Sequence, residues 1–99
     1  MKNIILDLNS PVFQKDLFSL NKEDAYSLLS TLKKISKMDW ESFYQDKGLK
    51  WELIYSKKGK NGENIYSFRI NKKFRATALR EANYLRILSL HTDHDSAYK

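Results

Sequence analysis

Two arginines six positions apart, Arg69 and Arg75, and two histidines near the carboxyl end, His91 and His94, are the side chains here best suited to chemistry. A guanidinium stays charged and matches a phosphate through parallel N–H donors. An imidazole exchanges protons near neutral pH. Tyr98 adds a phenol close behind the histidines. The sequence has no cysteine, which excludes a thiolate nucleophile and a thiolate zinc site and fits a reducing cytoplasm. It has no Gly-rich phosphate loop, no Ser-His-Asp order and no paired-carboxylate arrangement. His91, Asp93, His94 and Asp95 are metal-ligand types, but adjacent ligands in a tail make a poorly preorganised site, so neither metal nor cofactor is expected.

The charge distribution points to a polyanionic partner. Eighteen Lys and Arg stand against twelve Asp and Glu, a net charge of +6. Between Lys47 and Arg80 there are ten basic residues and only two acids, Glu52 and Glu63. Nucleic acid is the commonest partner for such a stretch, and a solubilising surface is the plain alternative. Lys57, Lys58 and Lys60 in one loop, with Lys72 and Lys73 in another, are the candidate phosphate contacts. No apolar run approaches the roughly 20 residues of a membrane span, so no membrane role is expected.

The length suits a single domain over residues 1–99. Asn3 to Leu8 reads as a strand. Ser10 or Asn9 can cap a helix with Pro11 in its first turn, sending Val12, Phe13, Leu17 and Leu20 toward a core. A second helix from Asn21 carries Ala25, Leu28, Leu29, Leu32 and Ile35 at helical spacing. Residues 38–46 add a helical turn. Four strands follow: residues 50–56, with Trp51, Leu53 and Tyr55 on one side, then 65–70, 74–80 and 84–90. The expectation is an α+β fold in two layers, an N-terminal strand and a helical hairpin followed by an antiparallel sheet, β-α-α-β-β-β-β.

Register places the chemistry. A three-residue loop at Asn71 to Lys73 pairs Phe68 with Ala76 and Arg69 with Arg75, whereas a two-residue loop would drive a charge into the core. Like charges facing each other across a ladder repel, which suggests an anion held between them. A three-residue loop at Glu81 to Asn83 then sets Ser89 across from Arg75 and His91 near Lys73. In that scheme Arg86 falls on the apolar side, and Leu79, Leu85 and Ile87 fall on the open side.

Tyr66, Arg69, Phe74 and Arg75, then the apolar strand from Leu85 to Leu90, then His91 or His94 before Tyr98, together resemble the RelE/ParE toxin superfamily. The order of elements resembles it as well. The resemblance implies the toxin of a type II toxin–antitoxin pair: a metal-independent endoribonuclease that cleaves mRNA in association with the ribosome, needs no cofactor, and is silenced in a hetero-oligomer with its antitoxin in the cytoplasm. It implies that Arg69 and Arg75 serve the phosphate, that His91 or His94 moves protons, and that Tyr98 acts at the leaving oxygen or stacks on a base. Two alternatives remain within it: a gyrase inhibitor without nuclease activity, and a non-catalytic member that only binds an antitoxin.

Overall fold

The computed structural model describes residues 2–92. His94 and Tyr98, together with Asp93 and Asp95, lie outside the described residues. Strand β1 (Ile5–Asp7) leads into helix α1 (Pro11–Phe18), α2 (Lys22–Ile35), α3 (Trp40–Gln45), and strands β2 (Glu52–Lys58), β3 (Asn64–Arg69), β4 (Arg75–Glu81) and β5 (Tyr84–His91). The helices begin where side chains can accept their first N–H groups. Ser10 accepts from Phe13 N, Asn21 from Asp24 N and Asp39 from Ser42 N.

The strands form one sheet in the order β1-β5-β4-β3-β2. β2 to β5 are antiparallel as expected, but β1 runs parallel to β5, so the sheet is mixed. The three helices carry the chain from β1 at one edge of the sheet to β2 at the other, and the β2–β5 meander then brings β5 back beside β1. The helices cover one face. Phe13, Leu28, Ile35, Phe43, Phe68, Phe74, Leu85 and Ile87 form the fully buried centre of the core between the layers. Val12 and Leu29, expected inside, are 57% and 59% exposed. A helix resting on one sheet needs only one apolar stripe, which Phe13 and Leu28–Leu32–Ile35 already fill. No helix among the described residues is long and apolar enough to cross a membrane.

The β3–β4 hairpin has the expected register, Phe68↔Ala76 and Arg69↔Arg75. The β4–β5 hairpin does not. It turns through Ala82 and Asn83 alone, pairing Glu81 with Tyr84. A bulge follows, because Ala78 faces Ile87 while Thr77 faces Ser89, which leaves Leu88 as the extra residue. The bulge switches the side on which alternate residues of β5 emerge. Leu85 and Ile87 enter the core before it, and Leu90 enters after it. Arg86 falls on the open face, where its Nε donates to Asp7 at 2.9 Å and its Nη2 to Glu81 at 3.2 Å. The misfits of Arg86, Leu85 and Ile87 therefore vanish, while Leu79 stays on the open face as expected, buried against Ile54 and Ile65. Beyond the short β1, the outer edge of β5 is satisfied by α1: Ser10 Oγ donates to Leu88 O (3.1 Å), and Leu90 N donates to Asp16 Oδ2 (2.9 Å).

Candidate functional site

On the face of the sheet away from the helices, pairing aligns side chains into two rows. One runs Glu52, Ser67, Thr77, Ser89 across β2, β3, β4 and β5, and its neighbour runs Arg69, Arg75, His91 across the last three. Side chains two apart along a strand share a face, so both rows point the same way. Beyond the hydroxyls lies a small apolar patch, Ile54, Ile65 and Leu79 with Leu88 against them.

Arg75 sits across from His91, where Ser89 was expected, because the shorter turn and the bulge each move the pairing of β5 along by one position. Its side chain is 3% exposed. Nη2 donates to Ser67 Oγ at 2.9 Å and to Lys50 O at 3.0 Å, Nε donates to Ser67 Oγ at 3.3 Å, and the Glu52 carboxylate stands 3.9 Å away. These groups offset the Arg75 charge beside Arg69. Lys50 delivers its carbonyl from a left-handed backbone (φ 52°). That conformation is held by Asp46, whose carbonyl accepts from Lys50 N and whose carboxylate accepts from Leu49 N. A strained residue whose carbonyl meets a buried cation is the kind of feature that concentrates at functional sites.

His91 is half-buried. Its Nε2 and Ser89 Oγ share a hydrogen bond of 2.8 Å, and Ser89 Oγ in turn shares a short one with Thr77 Oγ1. Burial lowers the imidazole pKa below its ordinary value of 6.5, and the Lys57 ammonium lowers it further, while Asp16 opposes them. His91 is therefore mainly neutral at pH 7 and able to accept a proton.

The expected lysines divide into two groups. Lys57, Lys58 and Lys60 line an open groove of about 720 Å³ that also includes Thr77, Ser89 and, from the apolar patch, Ile65, Leu79 and Leu88. The groove exists because β2 bulges: between the pairs Leu53↔Tyr66 and Lys58↔Asn64 it holds Ile54, Tyr55, Ser56 and Lys57 where β3 holds only Ile65. Lys72 and Lys73 instead border a separate hollow with Glu23, Asp24 and Ser27 at the start of α2. The structure thus sets Arg69, Arg75 and His91 in one row with Lys57 near enough to His91 to act on it, places Lys58 and Lys60 along the groove beyond the hydroxyls, and leaves Lys72 and Lys73 apart. Ser67, Thr77, Glu52 and the Lys50 carbonyl were not foreseen. The signal for the hydroxyls was present in the sequence, since Ser67 and Thr77 alternate with apolar residues of the core.

A family model described as Bucentaur or craniofacial development matches residues 14–74. The matched family is thus a different one from the RelE/ParE superfamily that the residues resemble, and the match stops one residue short of Arg75. No curated protein matches the chain. Among solved structures, a copper-bound mutant toxin from Helicobacter pylori is similar, with 20% identity and a TM-score of 0.48, covering 97% of this chain and 98% of that one.

Proposed function

The chain belongs to the Bucentaur or craniofacial development family, and we propose that this member is an endoribonuclease that cleaves mRNA at the row Arg69–Arg75–His91. The observation that carries the reading is His91, held neutral beside a buried arginine and fixed by Ser89. Arg69 and His91 lie two strands apart, about 10 Å between backbones. A phosphate resting above Arg75 is flanked by both.

In the reaction, neutral His91 takes the proton of a ribose 2′-hydroxyl. The 2′-oxygen attacks the adjacent phosphorus, a 2′,3′-cyclic phosphate forms, and the bond to the 5′-oxygen breaks. That oxygen leaves with a proton from a general acid, the role the resemblance gives to His94 or Tyr98. Arg69 meets the phosphoryl oxygens, and Arg75 supplies a fixed positive charge from beneath, which opposes the charge that builds on them. Lys57, Lys58 and Lys60 hold the flanking backbone. By the same resemblance the chain acts as a toxin at the ribosome, in the cytoplasm, paired with a cognate antitoxin.

Primer-extension mapping of mRNA after brief expression tests this. Discrete cleavage sites are expected, and they disappear with His91→Gln while circular dichroism shows an intact fold. Intact mRNA accompanied by gyrase-linked DNA breaks would replace the nuclease with a gyrase inhibitor.

A further inference from the structure

The groove beside the two rows is more than a basic track. Its floor is aliphatic, made of Ile65, Leu79 and Leu88, and one wall carries Lys57, Lys58 and Lys60. Ser10 and Val12 at the start of α1 form the facing wall. A surface built only to neutralise phosphates has no need of an apolar floor, and an apolar floor built only to close the core has no need of three ammonium groups around it. A nucleotide satisfies both, since its base is a flat, weakly hydrated ring and its phosphates are anionic. The volume, about 720 Å³, lies within the range of small-ligand sites.

The groove is continuous with the chemical rows. Thr77 and Ser89 line it, and Ser89 bonds His91. At the far end Arg86 is already committed to Asp7 and Glu81. The one acid in the lysine wall, Glu63, accepts from Asn61 N at 2.9 Å and so stays within the loop. Taking the nuclease reading as given, we propose that this groove is a subsite for one unstacked base of single-stranded RNA, neighbouring the scissile phosphate, which lies on Leu79 and Leu88 while the lysines hold its phosphates. Duplex RNA, whose bases are stacked and paired, cannot present one there.

A short fluorescent oligoribonucleotide, fully 2′-O-methylated so that it cannot be cleaved, tests the subsite, together with a series in which each base in turn is removed. One position is expected to dominate, its loss weakening binding roughly 5-fold, as burying part of a base on an aliphatic floor would give. Leu88→Asn, shown folded by circular dichroism, flattens the series toward the weaker value. Lys60→Gln, on an exposed loop that the fold does not need, weakens every oligonucleotide alike and preserves the dominant position. Tight, salt-sensitive binding with a flat series would overturn the subsite and leave the nuclease reading standing. No binding by wild type would overturn the subsite, while primer-extension mapping of cleavage decides the nuclease reading separately.

Discussion

The two faces of the sheet bury their residues for different reasons. The helix-side face is apolar throughout, with Phe13, Phe43, Phe68 and Phe74 interlocked around Leu28 and Ile87. The open face also buries side chains almost completely, but they are Ser67, Thr77 and Arg75 beside a patch of four aliphatic residues. Burial on the first face is driven by removing hydrocarbon from water. On the second it is permitted by hydrogen bonds that close among the buried groups themselves: Ser67 and Lys50 O for the guanidinium, Ser89 for Thr77 and His91. A core tolerates a change of side chain if volume is kept. A closed polar network does not, because each deleted partner strands another.

This contrast can be broken in order of expected effect. Phe68→Ala, on the helix side, removes a fully buried ring and should lower unfolding stability by about 3–5 kcal/mol, read by urea denaturation. Arg75→Ala, on the open side, should cost about 1–3 kcal/mol by removing the hydrogen bonds the guanidinium gives to Ser67 and the Lys50 carbonyl, and should also abolish cleavage. Arg75→Lys keeps the charge and separates the two effects. If Arg75→Ala proves as stable as wild type, the open face is not a closed network.

Lys57→Gln sharpens the contrast further. Removing that ammonium takes away the second cause of the lowered His91 pKa, so the imidazole should titrate closer to 6.5 by NMR. The acid limb of the cleavage profile should move to higher pH with it. The stability consequence has a definite sign. The folded state holds a lowered imidazole pKa, so between that pKa and 6.5 the unfolded chain binds more protons, and stability falls as the pH drops through that window. His91→Gln should remove this dependence. The smallest effect belongs to the turn of the last hairpin. Ala82 has φ 54°, and Ala82→Gly should stabilise by about 0.5–1 kcal/mol, visible as a raised Tm.

Much of this architecture could be read from residue alternation. The β3–β4 register followed from parity, since a loop of even length would place a charge on the apolar face with Phe68 and Ala76. The β4–β5 register did not follow, for two local reasons. Ala82 is an alanine in a left-handed turn position where glycine or asparagine gives the usual signal, and a bulge at Leu88 has no sequence mark in a run of Leu, Ile and Ser. The helices were placed closely, but which of Leu28 and Leu29 faces inward depends on their rotation against the sheet. The parallel pairing of β1 needed the third dimension. In the site, Arg69, Arg75 and His91 do share a face, as alternation required. That Arg75 is enclosed could not be seen, because its enclosure comes from a backbone carbonyl that Asp46 holds in place across the chain. The same dependence on folding separated Lys72 and Lys73 from the other lysines.

The single residue inserted at Leu88 acts as a half-twist in the ribbon. Everything before it obeys one parity and everything after it the other, so the same strand paired without the bulge would turn the imidazole inward among the phenylalanines and push Leu90 out into water. Deleting Leu88 would instead straighten the ribbon, with Ile87 and Leu90 still inward and Ser89 and His91 still outward.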